Sequence, residues 1–195
     1  MSDGANWLEL LARYPLCRIV TVALTSGEVE TSRVPLVAKR IGDRDVVFGH
    51  VARSSRHPRL WSEESVTVML VDGAHAYVSP DSYEHQPAVP TWNYCSATLH
   101  GRPRILTGDE LESSLRFSVR VLDPALENRL TAADLLFYRK MSSGVTGFAV
   151  PVERAEYREK LSAHRSAADQ AGIRALIESR GTPGDLDYLE LLDRM

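Results

Sequence analysis

Apolar residues recur along this chain in two periods, and the switches between them mark out its elements. Trp7, Leu8, Leu10 and Leu11 fall at helical spacing and predict a brief amphipathic helix. Tyr14-Pro15 ends it, because a residue before proline is pushed out of the α region. The run from Leu16 to Leu24 is rich in β-branched residues, and with a turn at Ser26-Gly27 and the alternating Val29, Thr31 and Arg33 it reads as a hairpin. Asp45-Val46-Val47-Phe48 predicts a short strand ending at Gly49. Strands follow from Ser65 to Val71 and from Ala74 to Val78, around an Asp72-Gly73 turn or bulge. A proline-bounded loop then spans Pro80 to Pro90, before a strand from Thr91 to Leu99. Gly108-Asp109 opens a helix with Leu111, Leu115, Val119 and Leu122 on one face, stopped by Asp123-Pro124. A second helix is expected from about Thr131 to Lys140, a strand from Val145 to Val152, and a helix capped by Ser166. The tail from Thr182 to Met195 reads as an acidic, amphipathic turn or two.

Short strands without a repeating βαβ unit predict a mainly β fold with peripheral helices, and a closed antiparallel barrel would remove the sheet edges. At 195 residues the chain suits a single domain, with a core over about 7–165 and a helical tail over about 166–195. Apolar residues at 44% and charged residues at 25% are ordinary globular usage.

The formal charge of −3 supplies no positive field to hold a phosphate backbone, which argues against nucleic acid as a partner. Cys17 and Cys95 have no paired spacing, which fits a reducing compartment and excludes a thiolate metal site. The N-terminal residues lack a basic region followed by an apolar run, and no stretch has the length of a membrane span, so the expectation is a cytoplasmic protein with no membrane partner.

Two constellations carry candidate chemistry. In Gly49-His50-Val51-Ala52-Arg53-Ser54-Ser55-Arg56-His57-Pro58-Arg59, a helix beginning near His50 would put His50, Arg53 and His57 on one face. Neutral imidazole suits haem iron, and a guanidinium grips a phosphate or carboxylate in two bonds. The competing reading is a solvated basic turn. The second is Ala76-Tyr77-Val78-Ser79-Pro80 with Val89-Pro90-Thr91-Trp92-Asn93-Tyr94, where aromatic rings interleave with hydrogen-bonding tips. It reads equally as a wall for a flat conjugated ligand or as an aromatic core cluster. His75 and His100 read as structural, His85 as a loop residue, and the segment from Glu159 to Arg165 as a solvated strand end. Dinucleotide, P-loop, zincin and nucleophile-elbow motifs are absent, which removes hydrolase and nucleotide-triphosphatase readings.

The segments Gly49-His50-Val51-Ala52-Arg53, Ala74-His75-Ala76-Tyr77-Val78-Ser79-Pro80, Val89-Pro90-Thr91-Trp92-Asn93-Tyr94 and Lys160-Leu161-Ser162 resemble, in order, the motifs of the PaiB-like family. The resemblance spans about Trp7 to Gly181 and implies an FMN-binding-type split β-barrel, a homodimer, and cofactor sites at the subunit interface. Within that family the chain looks most like the haem-dependent piperazate synthases. The short loop ending Gln86-Pro87-Ala88-Val89 resembles theirs, and His57 falls where they have a histidine. Ser54-Ser55-Arg56-His57-Pro58 departs from the family's usual Ala-Asn-Pro-x-Trp, and Ala163 stands where a glutamine is usual.

This resemblance implies haem b as cofactor, with FMN as the alternative, and His50 as the axial ligand of the iron. It implies a small amino-acid substrate, N5-hydroxy-L-ornithine, closed to L-piperazate by an intramolecular N–N bond with loss of water. Arg53, Lys160 and Tyr77 are then the candidate catalytic residues, with Arg59 as a further candidate for the substrate carboxylate. His50, Arg53, His57, Thr91, Trp92 and Asn93 are the candidate cofactor-binding residues. An FMN protein would instead use Arg53 for the phosphate and Trp92 beside the ring, and a transcriptional regulator is the third reading.

Overall fold

The computed structural model describes residues 3–62 and 64–194. The chain folds as two units, one of residues 1–71 and 98–156 and the other of residues 72–97 and 157–195. The first contains α1 (Asp3–Arg13), β1 (Leu16–Ala23), β2 (Val29–Pro35), β3 (Val37–Ile41), β4 (Arg44–Ala52) and the short α2 (His57–Leu60). It takes in the start of β5 (Ser65–Val78) and the end of β6 (Thr91–His100). It continues with β7 (Arg104–Leu106), α3 (Gly108–Leu122), α4 (Pro124–Glu127), α5 (Ala132–Met141), β8 (Val145–Pro151) and the start of β9 (Arg154–Lys160). The second unit takes the remainder of β5, β6 and β9, with α6 (Ala167–Arg180) and α7 (Pro183–Leu192).

The strands lie in two sheets, ordered β2-β1-β5-β6-β9 and β3-β4-β8-β7. The split arrangement implied by the resemblance is the one found among the described residues, rather than one closed hydrogen-bonded ring. In β1 every second residue, Cys17, Ile19 and Thr21, is buried, as a strand with one covered face requires. Ile19 faces Met69 and Thr21 faces Thr67 across to β5.

Three sequence expectations change. The strand expected to stop at Gly49 runs on to Ala52, because β8 pairs with it from Val46↔Pro151 to Ala52↔Val145. His50 is therefore a strand residue, and no helical face carries His50, Arg53 and His57 together. The strands around Asp72-Gly73 are one 14-residue strand, in which the buried positions shift from odd to even at Gly73–Ala74. That one-residue slip is the signature of a bulge rather than a turn. The tail makes a ten-residue helix whose Thr182 and Asp185 cap its first turn reciprocally.

Helix α3 forms where its apolar stripe predicts, and Phe117 meets Phe48 edge-on at 5.9 Å above a cluster of Val37, Val46, Leu106 and Ala149. Helix α5 starts with a capping box between Thr131 and Asp134. Among the described residues no helix is long and apolar enough to cross a membrane.

Candidate functional site

In the first unit, His50 sits opposite Gly147 in the β4–β8 ladder. A Cβ on Gly147 would overlap the tip of the Leu111 side chain, so the glycine leaves room for that residue of α3 against this strand pair. Beside this contact is a cavity of about 790 Å³, lined by His50 and Pro35, by Leu115, Val119 and Leu122 of α3, and by Leu135, Leu136 and Met141 of α5. Leu126, Leu130 and Val145 add further hydrocarbon. The volume and the largely apolar lining are those of a small-molecule or cofactor pocket. Burial pushes the His50 pKa below its ordinary value, so the imidazole is held neutral with a lone pair available.

The charged groups of this cavity come from the helices, and no sequence motif marks them out. Arg116 donates from Nε to Glu127 Oε1 at 2.9 Å, and Arg139 donates from Nη2 to Glu112 Oε2 at 2.6 Å. Glu112 and Arg116 are four apart on α3, a spacing that would allow them to pair along the helix. The fold re-pairs both with other elements.

Arg53 follows β4 directly; its side chain is exposed, and its backbone N–H donates to the Gly144 carbonyl at 2.9 Å. His57 does not line the cavity. It is fully buried, with Nδ1 at 3.0 Å from Thr21 Oγ1, a hydroxyl that also accepts from Trp61 Nε1 at 3.1 Å and meets Thr67 Oγ1 at 3.1 Å. Its Nε2 is buried without a hydrogen-bond partner, and burial lowers its pKa. Arg59 is exposed.

The second unit brings together the remaining candidates in two groups. Tyr77 and Trp92 pack edge to face at 5.8 Å with both rings exposed, and His75 lies 5.6 Å from Trp92. The expected aromatic wall is thus a surface rather than a core cluster, and His75 is an exposed part of it. The other group is polar and runs from an exposed lysine to a buried asparagine. Lys160 Nζ donates to Thr91 Oγ1. Asn93 is fully buried; its Oδ1 accepts from Ser162 Oγ at 2.8 Å and its Nδ2 donates to Tyr188 Oη at 2.8 Å. Ser162 adopts φ 60°, a left-handed conformation that is costly for a side-chain-bearing residue, and its hydroxyl bond to Asn93 helps to hold it there. Ser162 closes the Lys160-Leu161-Ser162 segment of the family resemblance without a role assigned to it, and nothing in the sequence singles out Tyr188.

Among the described residues, no group of three or more His, Cys, Asp or Glu side chains is placed to hold a bare metal ion.

Two sheets with surface helices and an apolar cavity define a protein of the split-barrel class. The family described as “Putative FMN-binding domain” matches residues 1–154, and the chain belongs to this PaiB-like family. The protein “Protease synthase and sporulation protein PAI 2” of Bacillus subtilis (strain 168) is 25% identical over 175 residues, covering 88% of this chain and 84% of that protein. An FAD- and haem-binding protein from Mycobacterium smegmatis has a similar fold, with a TM-score of 0.64 and 18% identity over 86% of this chain and 76% of that one. The flavocytochrome Anf3 from Azotobacter vinelandii has a TM-score of 0.58 and 17% identity, over 86% and 76% of the two chains.

Proposed function

We propose that this protein is a haem enzyme in which His50 would hold the iron, acting as a piperazate synthase-like cyclase that joins the two nitrogens of N5-hydroxy-L-ornithine. One observation carries the haem assignment: a neutral imidazole stands in the wall of a cavity of about 790 Å³ whose lining is otherwise mostly hydrocarbon. An imidazole that is to hold haem iron must be unprotonated, and burial lowers the His50 pKa in the direction that favours this form. The β4–β8 ladder on both sides of His50 fixes its backbone, so the ring needs little ordering on binding.

When bound, haem iron would supply a Lewis-acid centre at which an N–O bond is weakened. The chain supplies the remainder. The apolar lining offers the reacting groups a low-polarity surface, and a cationic side chain holds the substrate carboxylate. Arg53, exposed at the end of β4, is our candidate for that role in the first unit. In the second unit we assign Lys160 on Thr91, and the exposed Tyr77–Trp92 pair with the Asn93 network beneath its strand, as separate candidate contact groups. The reading includes a homodimer, supported by the exposure of Leu136, Phe137 and Met141 on α5.

FMN is the second reading, favoured by the family's description as FMN-binding. Titration of the purified protein with haemin and with FMN separates the two. A Soret band that shifts on binding and is lost in His50→Ala supports haem. Flavin absorbance retained by wild type and by His50→Ala alike would sink the axial assignment. Conversion of N5-hydroxy-L-ornithine to a cyclic hydrazine with no added oxidant tests the cyclase step.

A further inference from the structure

We infer that Arg116 and Arg139 form a carboxylate-binding edge on the His50 cavity, so that its ligand is an apolar body ending in a carboxylate. This rests on the reading of that cavity as the ligand site and not on the identity of the ligand.

Each guanidinium has five N–H donors and spends one of them on a glutamate. Glu127 takes the Nε edge of Arg116, which leaves the terminal Nη pair with no hydrogen-bond partner among the described residues. That pair is the fork that grips a planar carboxylate in two parallel bonds. The anchor is firm where the fork is free: the Glu127 side chain is 11% exposed, whereas that of Arg116 is 51% exposed. Arg139, held by Glu112 across from α5 to α3, keeps its Nε and Nη1 free in the same sense.

The chemistry of the anion follows from the glutamates. Glu112 and Asp123 line the cavity beside the two arginines, Glu127 stands behind Arg116, and Glu127 Oε2 is buried without a donor, so the carboxylates here outnumber the guanidiniums. A dianionic phosphate brought to this edge would meet that negative charge at close range, while a monoanionic carboxylate matches the free donors with half the repulsion. The rest of the lining, including Leu115, Val119 and Leu135, wants hydrocarbon.

A carboxylate of this kind is carried both by a haem-like cofactor and by a smaller ligand, and two probe pairs tell these apart. Full-length protein is titrated by fluorescence with 4-(1-pyrenyl)butyric acid and with its methyl ester, which carry the same apolar body with and without the charge. Wild type is expected to bind the acid about tenfold or more tighter than the ester, and Arg116→Gln/Arg139→Gln to lose that preference while still binding the ester. Equal affinity of wild type for acid and ester, or no binding of the acid, overturns the proposal whatever the variant does. A preference that survives in the double variant also overturns it.

Haemin and haemin dimethyl ester make the second pair. If the variant weakens haemin but not its diester, the edge holds cofactor carboxylates; if it weakens pyrenylbutyrate alone, the edge holds a smaller ligand. Failure of wild type to bind haemin removes the haem reading and leaves the pyrene pair to decide this one.

Discussion

Asn93 donates to Tyr188 across 2.8 Å, and both side chains are fully buried. Strand β6 and helix α7 are thereby joined by a polar bond in an interior where an unpaired group is costly. Tyr188→Phe strands the Asn93 Nδ2 donor and is expected to destabilise the protein by about 1–3 kcal/mol. Asn93→Leu strands both the Ser162 and Tyr188 hydroxyls and should cost more. Denaturant unfolding of the two single variants and the double variant checks this, with the double expected to lose less than the sum of the singles.

His57 has a folded-state pKa below the ordinary 6.5, chiefly through burial. The folded protein keeps this ring neutral, so the unfolded chain binds the extra proton once the pH drops below about 6.5. Stability is then unaffected above that pH and is lost as the pH falls from 6.5 toward the depressed value, at up to about 1.4 kcal/mol per pH unit for one proton. His50 adds in the same direction. Urea midpoints between pH 7.5 and 5 should fall in wild type and fall less steeply in His57→Gln. A parallel slope in the variant would assign the loss to other groups.

Arg180 holds Asp185 through Nε to Oδ2 at 2.8 Å and through Nη2 to Oδ1, and also donates from Nη2 to the Tyr77 carbonyl at 3.0 Å. The guanidinium, more than the Thr182 cap, keeps the Asp185 carboxyl well below the usual carboxylate range. The pair's contribution is thus present above about pH 4 and lost as the pH falls below it. Arg180→Gln leaves a buried carboxylate short of its partner, and a loss of about 2–4 kcal/mol is expected at neutral pH. Hydrogen exchange should rise first over α7, whose capping box Asp185 completes with the N-cap Thr182.

Gly172 lies inside α6, where alanine would ordinarily help by up to about 1 kcal/mol. Here a Cβ would strike the Ser82 carbonyl oxygen, a backbone atom that cannot rotate away. Gly172→Ala is therefore expected to destabilise. Gly49→Ala, whose Cβ would meet the side chains of Leu36 at 2.6 Å and Phe148 at 2.7 Å, should cost about 1–3 kcal/mol. Thermal unfolding of both variants checks the signs, and a stabilised Gly172→Ala would contradict the close approach.

The elements with a strong period are legible in the amino-acid sequence. The hairpin from Leu16, the α3 stripe of Leu111, Leu115 and Val119, and the Ser166 cap all form where local sequence puts them. Local chemistry decides these elements, because a periodic apolar face or a capping hydroxyl acts within a few residues of itself. The segment from Gly49 to Arg53 stands out by its composition, but its period misleads: pairing with β8, about a hundred residues away, overrides the helical spacing of its charged residues.

Tertiary structure alone decides what surrounds His50. The cavity wall comes from helices more than sixty residues downstream, and nothing in their apolar stripes says which strand they cover. The same holds for His57, which sits in a run of arginines and serines and yet is fully buried. A polar ring can be buried only when distant residues bring it partners, and Thr21 lies thirty-six positions away. Local periodicity and capping therefore determine most of the strands, the helices and the residue types of the candidate site, while long-range pairing determines which of those residues share a cavity.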